Sequence, residues 1–415
     1  VVPHFEKMLY DQALISILYS KAYLISQKKI YLETSKEIVN YCLEYLKNPE
    51  GGFFCGEDAD SEGVEGKFYQ WEEEELKRIF STDEFAEFSQ IFSISSEGNF
   101  REETKKEFNG KNILYINKSF ANRYLNDETI REKINSMMLK LKFVRDKRIR
   151  PHRDEKILFD WNCLIVIALL YLARITEDEK YKIEAVTTID FLEKNLIENN
   201  FRLSHAYFKG TKKNFGFLED YAYLLWCYLE LYLTFFDGIW LEKAFLVSDK
   251  IIEQFMDKEK GGFFHTPEFL KEIPVRQKII VDSVMPSGNS VLLYNFLRLF
   301  GLTDDLKYFN LAKMLIETFS NAIKEMPLAY NFFINSLSLY FDYPGKIKLV
   351  LKRELIKNEV YYFLRRLASL DWIIEIRKDE SINSEILAEI CSKNTCSMNF
   401  RNEEDFLNFL KNLKL

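Results

Sequence analysis

Residues 155–173 read EKILFDWNCLIVIALLYLA, a polar start followed by an apolar run from Trp161 to Ala173. The start nearly repeats EKMLYD at residues 6–11, and a Pro-His pair comes shortly before each copy. Both copies lead into a long segment with apolar residues at helical spacing. A supersecondary unit that is used twice, with its polar residues at the same end each time, indicates an array of helical repeats.

Apolar spacing predicts four pairs of helices along the chain. The first helix of each pair is apolar nearly all round, and the second is amphipathic, with charged positions such as Lys36 and Lys180. A helix that is apolar on all sides has to be buried on all sides. Inner helices covered by outer ones meet this requirement, as in an α/α toroid. The predicted pairs are 5–26 with 30–47, 156–175 with 178–197, 217–236 with 239–257, and 287–300 with 304–324.

Two of the loops repeat as well. Residues 51–54 and 261–264 both read GGFF, and the glycine pair supplies the left-handed residue that ends a helix. Residues 52–71 and 98–115 are expected to be irregular or short-stranded insertions, separated by an acidic helix at 72–80 and by the segment 83–92. Long loops on one face of a repeat array are where ligand contacts usually lie.

The pattern changes near residue 345. Strands are predicted at 346–351 and 372–376, with a helix at 357–369 between them and a final helix at 403–413. The sequence therefore predicts a mainly α fold, an (α/α)6 toroid of the six-hairpin glycosidase type, with a small C-terminal α/β module. The predicted domains are 1–344 for the toroid and 345–415 for the module.

Composition excludes several classes of function. The net charge of the 415 residues is −7, without a basic block, so nucleic acid is an unlikely partner on electrostatic grounds. The apolar run of residues 161–173 is bounded by Asp160 and Arg174, and its length fits a core helix better than a membrane crossing. We therefore expect neither a nucleic-acid nor a membrane partner.

The six cysteines include no CxxC pair of the kind expected at zinc or redox sites. We interpret them as small buried hydrophobic residues in a reducing, cytoplasmic compartment. Cys391 and Cys396 are close enough to pair, but a disulfide there is not expected in such a compartment. No metal or other cofactor is predicted.

The repeated EK segments carry the first candidate site residues. Asp11 and Asp160 each stand at the mouth of an apolar helix, where a carboxylate needs a partner or water. If the first helix begins near His4, then His4 and Asp11 lie seven residues apart on one face. Arg153 has the same spacing from Asp160. These groups, with His152, either gather at the toroid mouth or act only as helix caps and surface ion pairs.

An acidic loop at residues 57–63 reads EDADSEG and resembles the first half of a calcium loop. It fails as an EF-hand because Tyr69 stands at the twelfth position from Asp58, where a bidentate glutamate is required. Three interpretations stay open for Asp58 and Asp60. They bind a cation, contact a substrate, or form a solvated turn.

Polar groups also open the third and fourth inner helices. Glu219 and Asp220 begin the third, and Asn289 begins the fourth. The helix dipole alone favours acids at this position, which is the simpler explanation. Together with Asp11 and Asp160, however, these residues would form one ring of polar side chains.

Aromatic residues accompany this ring, namely Tyr10, Trp161 and Tyr221. Carboxylates beside aromatic faces suit sugars, because acids bind hydroxyl groups or transfer protons while rings stack on the pyranose. The histidines His205 and His265 lie in less distinctive loops.

Six ordered motifs make the chain similar to the YyaL/spermatogenesis-associated protein 20 group of thioredoxin-domain-containing proteins. They are VPHFEKMLYD at 2–11, GGFF…DADSEG…EGKFYQW at 51–71, RPHRDEKILFDWN at 150–162, GFLEDYAYL at 216–224, PSGNS at 286–290 and NTCSMNF at 394–400. The resemblance implies an N-terminal thioredoxin-like domain followed by a barrel similar to N-acylglucosamine 2-epimerases and six-hairpin glycosidases. It implies a carbohydrate-type site without naming a reaction.

The chain departs from that family in two ways. The thioredoxin-like domain and the barrel helices that would precede VPHFEKMLYD are absent from the sequence, and Cys163 stands where a glycine is expected. A barrel without its first helices has an open seam. We expect a second chain or a missing N-terminal segment to close it.

The leading hypothesis is therefore acid–base chemistry on a small carbohydrate, epimerase-like or hydrolase-like. The rival is a non-catalytic binding scaffold that works with the absent thioredoxin-like domain. The predicted catalytic residues are His4, Asp11, His152, Asp160, Glu219 and Asp220. The predicted substrate-binding residues are Tyr10, Asp58, Asp60, Arg153, Trp161, Asn162, Tyr221 and Asn289.

Overall fold

The computed structural model describes residues 4–100, 108–341, 344–352, 356–392 and 395–413. Its helices are α1 (Leu9–Ser26), α2 (Lys29–Tyr41), α3 (Glu73–Ile79), α4 (Thr82–Phe92), α5 (Lys118–Asn126), α6 (Glu128–Arg145), α7 (Phe159–Thr176), α8 (Glu179–Leu196), α9 (Leu218–Phe235), α10 (Gly238–Phe255), α11 (Gly288–Thr303), α12 (Leu306–Glu325), α13 (Asn331–Phe341), α14 (Asn358–Ala368) and α15 (Glu403–Asn412). A π-helical turn, Cys42–Leu46, extends α2.

The strands are short outside the C-terminal region. They are β1 (Lys7–Met8), β2 (Gly56–Glu57), β3 (Asp60–Ser61), β4 (Val64–Glu65), β5 (Trp71–Glu72), β6 (Lys111–Asn112), β7 (Arg153–Asp154), β8 (Ile157–Leu158), β9 (Ser204–Phe208), β10 (Thr211–Phe215), β11 (Lys346–Leu351), β12 (Ile373–Lys378), β13 (Ile386–Ser392) and β14 (Thr395–Phe400).

The chain folds as two compact units. The helical unit contains Leu9–Cys55 and Lys156–Leu415, and the insertion unit contains Val1–Met8 and Gly56–Glu155. Packing therefore does not divide the chain at residue 344, because the C-terminal module lies within the helical unit. The predicted domains 1–344 and 345–415 stay a prediction.

Helix pairs build the helical unit. The inner helices α1, α7, α9 and α11 pack side by side in that order, and each is covered by the helix that follows it in the chain. In α7 all but two of the 18 residues are buried, whereas α2 buries only Ser35 and Val39. This difference is what the sequence patterns predicted for inner and outer helices. The mainly α, toroid-type fold with a small strand-containing module is confirmed.

Two inner helices differ in their surroundings. Helix α7 has the length and hydropathy of a membrane span, yet 89% of that window is buried inside the protein, as in a core helix. Helix α1 instead leaves Leu18 and Ile25 mostly exposed. The prediction that every inner helix is buried all round is therefore wrong for α1.

An asparagine from the next inner helix fixes each GGFF loop. Asn162 of α7 accepts the backbone N–H of Phe53 at 2.7 Å and donates to its carbonyl at 3.0 Å. Asn289 of α11 likewise accepts the backbone N–H of Phe263 at 3.0 Å and donates to its carbonyl at 2.9 Å. These bonds satisfy buried backbone groups that have no helical or sheet partner. The loops can adopt this path because the glycines before the phenylalanines have φ values of +72° to +115°.

The C-terminal module is a four-stranded sheet with two helices. The strand order is β12-β11-β13-β14, with β11 and β12 parallel and joined through α14. It packs on the C-terminal halves of the inner helices, where the N–H of Ile376 donates to the hydroxyl of Tyr232 at 3.2 Å. The side chain of Asp371 pairs with Lys21 of α1 at 2.8 Å. The module thus belongs to the core of the helical unit.

The insertion unit has its own apolar core. Its central sheet has the strand order β1-β2-β7, and helices α3 to α6 enclose a second cluster of buried residues that includes Trp71, Phe88 and Met137. The acidic helix predicted at 72–80 corresponds to α3, and the segment 83–92 that follows it lies in α4. Part of the predicted irregular segment 98–115 lies outside the described residues.

Three local predictions are corrected. Helices α1 and α7 begin at Leu9 and Phe159, not at residues 5 and 156, because short strands precede them. His4 and Arg153 are consequently not on those helices, and the argument from seven-residue spacing fails. The hairpin β9–β10, the helix α13 and the strands β13 and β14 were not predicted.

The expectation of six free cysteines is wrong for one pair. Cys391 and Cys396 are register partners on β13 and β14 and form a disulfide, with their Cα atoms 3.9 Å apart. The hairpin between them, which the sequence patterns did not reveal, places them side by side. The other four cysteines are buried, as predicted: Cys42, Cys55, Cys163 and Cys227.

The asparagine contact gives a stability prediction. Asn162→Ala should lower the free energy of unfolding by about 2–4 kcal/mol, because it leaves the buried N–H and C=O of Phe53 without partners. Urea unfolding followed by circular dichroism measures this. Asn335→Ala, at an exposed position of α13, is the matched control and should change stability by no more than about 0.5 kcal/mol. A loss below 1 kcal/mol for Asn162→Ala would contradict the structural role.

Candidate functional site

A cluster of acids and histidines lies where α7 and α9 begin. Asp160 is the second residue of α7 and Asp220 the third of α9, and both are buried. Strand β9 brings His205 to them, with its Nδ1 at 3.0 and 3.1 Å from the two carboxylate oxygens of Asp220. Asp220 also accepts the backbone N–H of Phe217 at 2.7 Å. The backbone N–H of Phe217 therefore helps to orient the Asp220 carboxylate toward the imidazole of His205.

A second acid–histidine pair adjoins the first. Glu219 lies 2.8 Å from Nδ1 of His265 and accepts the backbone N–H of Gly288 at 3.2 Å. The ring of Phe217 is stacked on His265, with centroids 4.7 Å apart, and meets the ring of His205 edge-on at 5.2 Å. Both imidazoles are partly exposed. In each ring Nδ1 is held by a carboxylate, so Nε2 is the atom left to exchange a proton.

Burial keeps Asp160 protonated. Desolvation, followed by the neighbouring charge of Asp220, raises the pKa of Asp160 to about 8. The nearby His205 and the backbone N–H of Trp161, which donates to Asp160 at 2.9 Å, act in the opposite direction without reversing the shift. At neutral pH the side chain is thus a carboxylic acid that can donate a proton.

His205 is shifted so that it carries a charge. Burial opposes its protonation, but the hydrogen bond and charge of Asp220, with further contributions from Asp160 and Glu219, outweigh burial and raise its pKa to about 9. The pKa of His265 is also raised, since the hydrogen bond and charge of Glu219 outweigh burial. The cluster therefore contains proton donors and acceptors within a small volume, which is the arrangement that acid–base catalysis needs.

The same side chains could hold a metal ion by spacing alone. Asp160, His205 and Asp220 each offer a ligand atom, and these atoms lie within 4.8 Å of one another. A metal on Nδ1 of His205 would have to displace the proton shared with Asp220, and it would have to deprotonate the buried acid. The hydrogen bonds present favour the proton-transfer arrangement.

The two histidines of the cluster occupy equivalent repeat positions that sequence reasoning did not recognise. Single β-bridges link the end of each outer helix to its loop, at Phe53, Leu203 and Phe263. Two residues after each bridge come Cys55, His205 and His265, respectively. The GGFF repeat pointed to two of these positions. The third was hidden because its loop, NNFRL at residues 199–203, has lost both glycines.

The structure brings three predicted catalytic residues together: Asp160, Glu219 and Asp220. Asp11 lies in the first turn of α1 and is partly exposed. Trp161, which follows Asp160 in the chain, packs edge-on against Tyr10, with ring centroids 4.7 Å apart.

Other predicted residues of the helical unit have structural contacts. All polar atoms of the Asn162 amide are bonded to the backbone of Phe53 and Leu158. Asn289 is fully buried and holds Phe263 as described. The hydroxyl of Tyr221 accepts the N–H of Leu203 at 3.1 Å. None of the three presents a polar atom to a substrate in this arrangement.

The remaining predicted residues lie in the insertion unit: His4, Asp58, Asp60, His152 and Arg153. His152 and Asp58 are exposed, with Nδ1 and Oδ2 3.7 Å apart. Asp60 is exposed at the base of the tight hairpin of β3 and β4. Among the described residues, the acid and histidine groups spaced for a metal do not include these aspartates. Their role in a site stays a prediction.

A cavity of about 880 Å³ is also present in the helical unit. It is lined by the segment that follows α10, including Met256, Phe264 and Arg276. Phe264 directly precedes His265, but the cavity is lined by none of the five acids and histidines of the cluster.

Comparison with known proteins agrees with the motif-based resemblance. No family model matches the chain. Spermatogenesis-associated protein 20 of Mus musculus is 31% identical over 368 residues, which is 81% of this chain and 47% of the mouse protein. The human protein of the same name is 30% identical over the same length. The chain is a homologue of spermatogenesis-associated protein 20. It spans about half the length of these relatives.

Several carbohydrate-active enzymes are among the similar solved structures. Cellobiose 2-epimerase from Spirochaeta thermophila has a TM-score of 0.39 and 11% identity, covering 77% of this chain and 75% of its own. D-mannose isomerase has a TM-score of 0.38 and 12% identity, with 76% of each chain covered. The α-mannanase BT2949 of Bacteroides thetaiotaomicron has 0.38 and 14%, covering 58% and 68%. Values this low carry no argument about what this chain does.

The raised pKa of His205 gives a pH-dependent prediction. Because its folded pKa of about 9 lies above the ordinary 6.5, its stabilising contribution is fully present below pH 6.5 and is lost as the pH rises through 9. The difference in free energy of unfolding between wild type and His205→Gln should therefore shrink over this range. Urea titrations at pH 6, 7.5 and 9 measure it. Asn335→Ala, a non-titratable change at an exposed position of α13, should show a pH-independent difference, and a constant difference for His205→Gln would refute the ion pair.

Proposed function

We propose that the helical unit catalyses proton transfer on a carbohydrate at the cluster of Asp160, His205, Glu219, Asp220 and His265. One observation carries the proposal. A carboxylic acid that keeps its proton at neutral pH lies beside a protonated imidazole held by a second carboxylate. Buried titratable groups with shifted pKa values, placed this close together, are typical of sites that transfer protons.

Epimerase-like chemistry suits the geometry better than inverting hydrolysis. Oxygens of Asp160 and Asp220 lie within 4.8 Å of each other, whereas inverting glycosidases need roughly 6.5–9.5 Å between carboxyl groups to admit a water. An acid at this distance can protonate a sugar carbonyl oxygen while a neighbouring group removes a proton from the adjacent carbon. Asp160 is assigned the first role. His205 and His265 are assigned proton exchange through Nε2.

The choice of a sugar rests on the surroundings of the acids. The edge-on pair of Tyr10 and Trp161 adjoins Asp160, and Phe217 lies between the two imidazoles. Aromatic faces bind the apolar side of a sugar ring while carboxylates bind its hydroxyl groups. The two histidines offset the charge of the two carboxylates that they contact, which favours a neutral sugar over an acidic one.

A binding scaffold is the second candidate, and one observation favours it. Glu219 and Asp220 both accept backbone N–H groups at the starts of helices, as purely structural caps do. In a scaffold these acids would serve stability and ligand geometry only. In that case sugar turnover would be absent.

Enzymatic exchange of a sugar C–H proton for deuterium from the solvent tests the proposal. The chain is incubated in D₂O with reducing monosaccharides and disaccharides, and NMR follows deuterium at the carbon next to the carbonyl. We expect incorporation by wild type and a loss of roughly 100-fold or more in Asp160→Asn, because the proton donor is removed. Asp190→Asn, at an exposed position of α8, is the matched control and should keep full activity.

Three other outcomes of this experiment would each contradict part of the proposal. New reducing ends without deuterium would indicate hydrolysis instead of epimerisation. Neither deuterium nor new ends with any sugar, in a chain shown to be folded, would contradict catalysis. Equal activity in wild type and Asp160→Asn would move the chemistry away from this cluster.

A further inference from the structure

A second group of charges is buried near the opposite ends of the inner helices. Arg174 lies 14 residues after Asp160 on α7, which places it about 21 Å further along the helix axis. Arg298 of α11 and Glu230 of α9 meet it in the core. The side chains of the three residues are 0–4% exposed.

The hydrogen bonds of this group are incomplete. Glu230 accepts from Nη2 of Arg174 with one oxygen and from Nη2 of Arg298, at 2.8 Å, with the other. The indole N–H of Trp226 adds a third donor, at 2.9 Å. In contrast, Nη1 of both arginines and the hydroxyl of Tyr171 are buried and have no partner among the described residues. Five N–H or O–H protons thus lack an acceptor.

The formal charges of this group do not cancel either, and the excess is positive. Two guanidinium groups face one carboxylate, which leaves a net charge of +1 without solvent contact. Asp371 cannot balance it, because that carboxylate is already paired with Lys21 at 2.8 Å and with the hydroxyl of Tyr294 at 2.6 Å. An uncompensated buried charge with unsatisfied donors is strongly unfavourable in a core that is otherwise apolar.

We propose that a small monovalent anion of the halide class binds between Arg174, Arg298 and Tyr171. The guanidinium carbon of Arg174 lies 4.5 Å from the centroid of the Tyr171 ring, and both arginines contact the same carboxylate, that of Glu230. A halide accepts several N–H and O–H donors without directional demands, and it neutralises the excess charge. The site is separate from the acid–histidine cluster and does not depend on the proposed function.

Crystals of the intact chain grown or soaked in bromide test the site directly. The expected result is an anomalous peak within hydrogen-bonding distance of Nη1 of both arginines. A peak confined to the protein surface, or ordered water at this position in the presence of bromide, would overturn the proposal.

Solution stability provides an independent test with variants. At constant ionic strength, replacing gluconate by chloride over a 100-fold range should raise Tm by roughly 2 °C or more, because only the folded chain binds the anion. Arg298→Met removes the excess charge and should abolish this dependence. Arg123→Met, at an exposed position of α5, should retain it. A chloride dependence that survives in Arg298→Met, or that is absent in wild type, would contradict the site, and the bromide crystal decides the case if that variant does not fold.

Discussion

The burial of α7 on all sides is the constraint on which the rest of the structure depends. A helix with 16 of its 18 residues buried has room for polar side chains only where they find fixed partners. Its buried charged residues are Asp160 at its start and Arg174 near its end. In the neighbouring inner helices, Glu219 and Asp220 lie at the start of α9, whereas Arg298 and Glu230 lie with Arg174 near the other ends.

Burial and the helix ends act on the acids in opposite directions. The start of a helix favours a negative charge, and Glu219 and Asp220 use this position while accepting backbone N–H groups. At Asp160 desolvation dominates, so the proton is retained. Two carboxyl groups at comparable helix positions are thus prepared for different roles by their surroundings. The different surroundings of these carboxyl groups support acid–base chemistry more strongly than the mere presence of acids does.

The helix pairs could be predicted because the buried positions of α7 to α12 follow the helical spacing of apolar residues in the sequence. It also predicted Asp160, Glu219 and Asp220, since a carboxylate next to an apolar helix has few explanations. It did not predict His205, because the bridge that makes Leu203 equivalent to Phe53 depends on pairing between residues and leaves no trace in composition. It misplaced His4 and Arg153 for a related reason. Strands of two residues carry no periodic signal, so the true starts of α1 and α7 were not visible.

The titration of the Asp160 carboxyl group tests the central claim most directly. Carbon-13 NMR of the intact chain with labelled aspartate would follow its carboxyl resonance against pH, with Asp160→Asn used for assignment. A transition near pH 8 is expected, because the acid is desolvated and lies near the charge of Asp220. A transition near pH 4 would show that water reaches the group and that it is ionised at neutral pH. The assignment of Asp160 as proton donor would then be wrong.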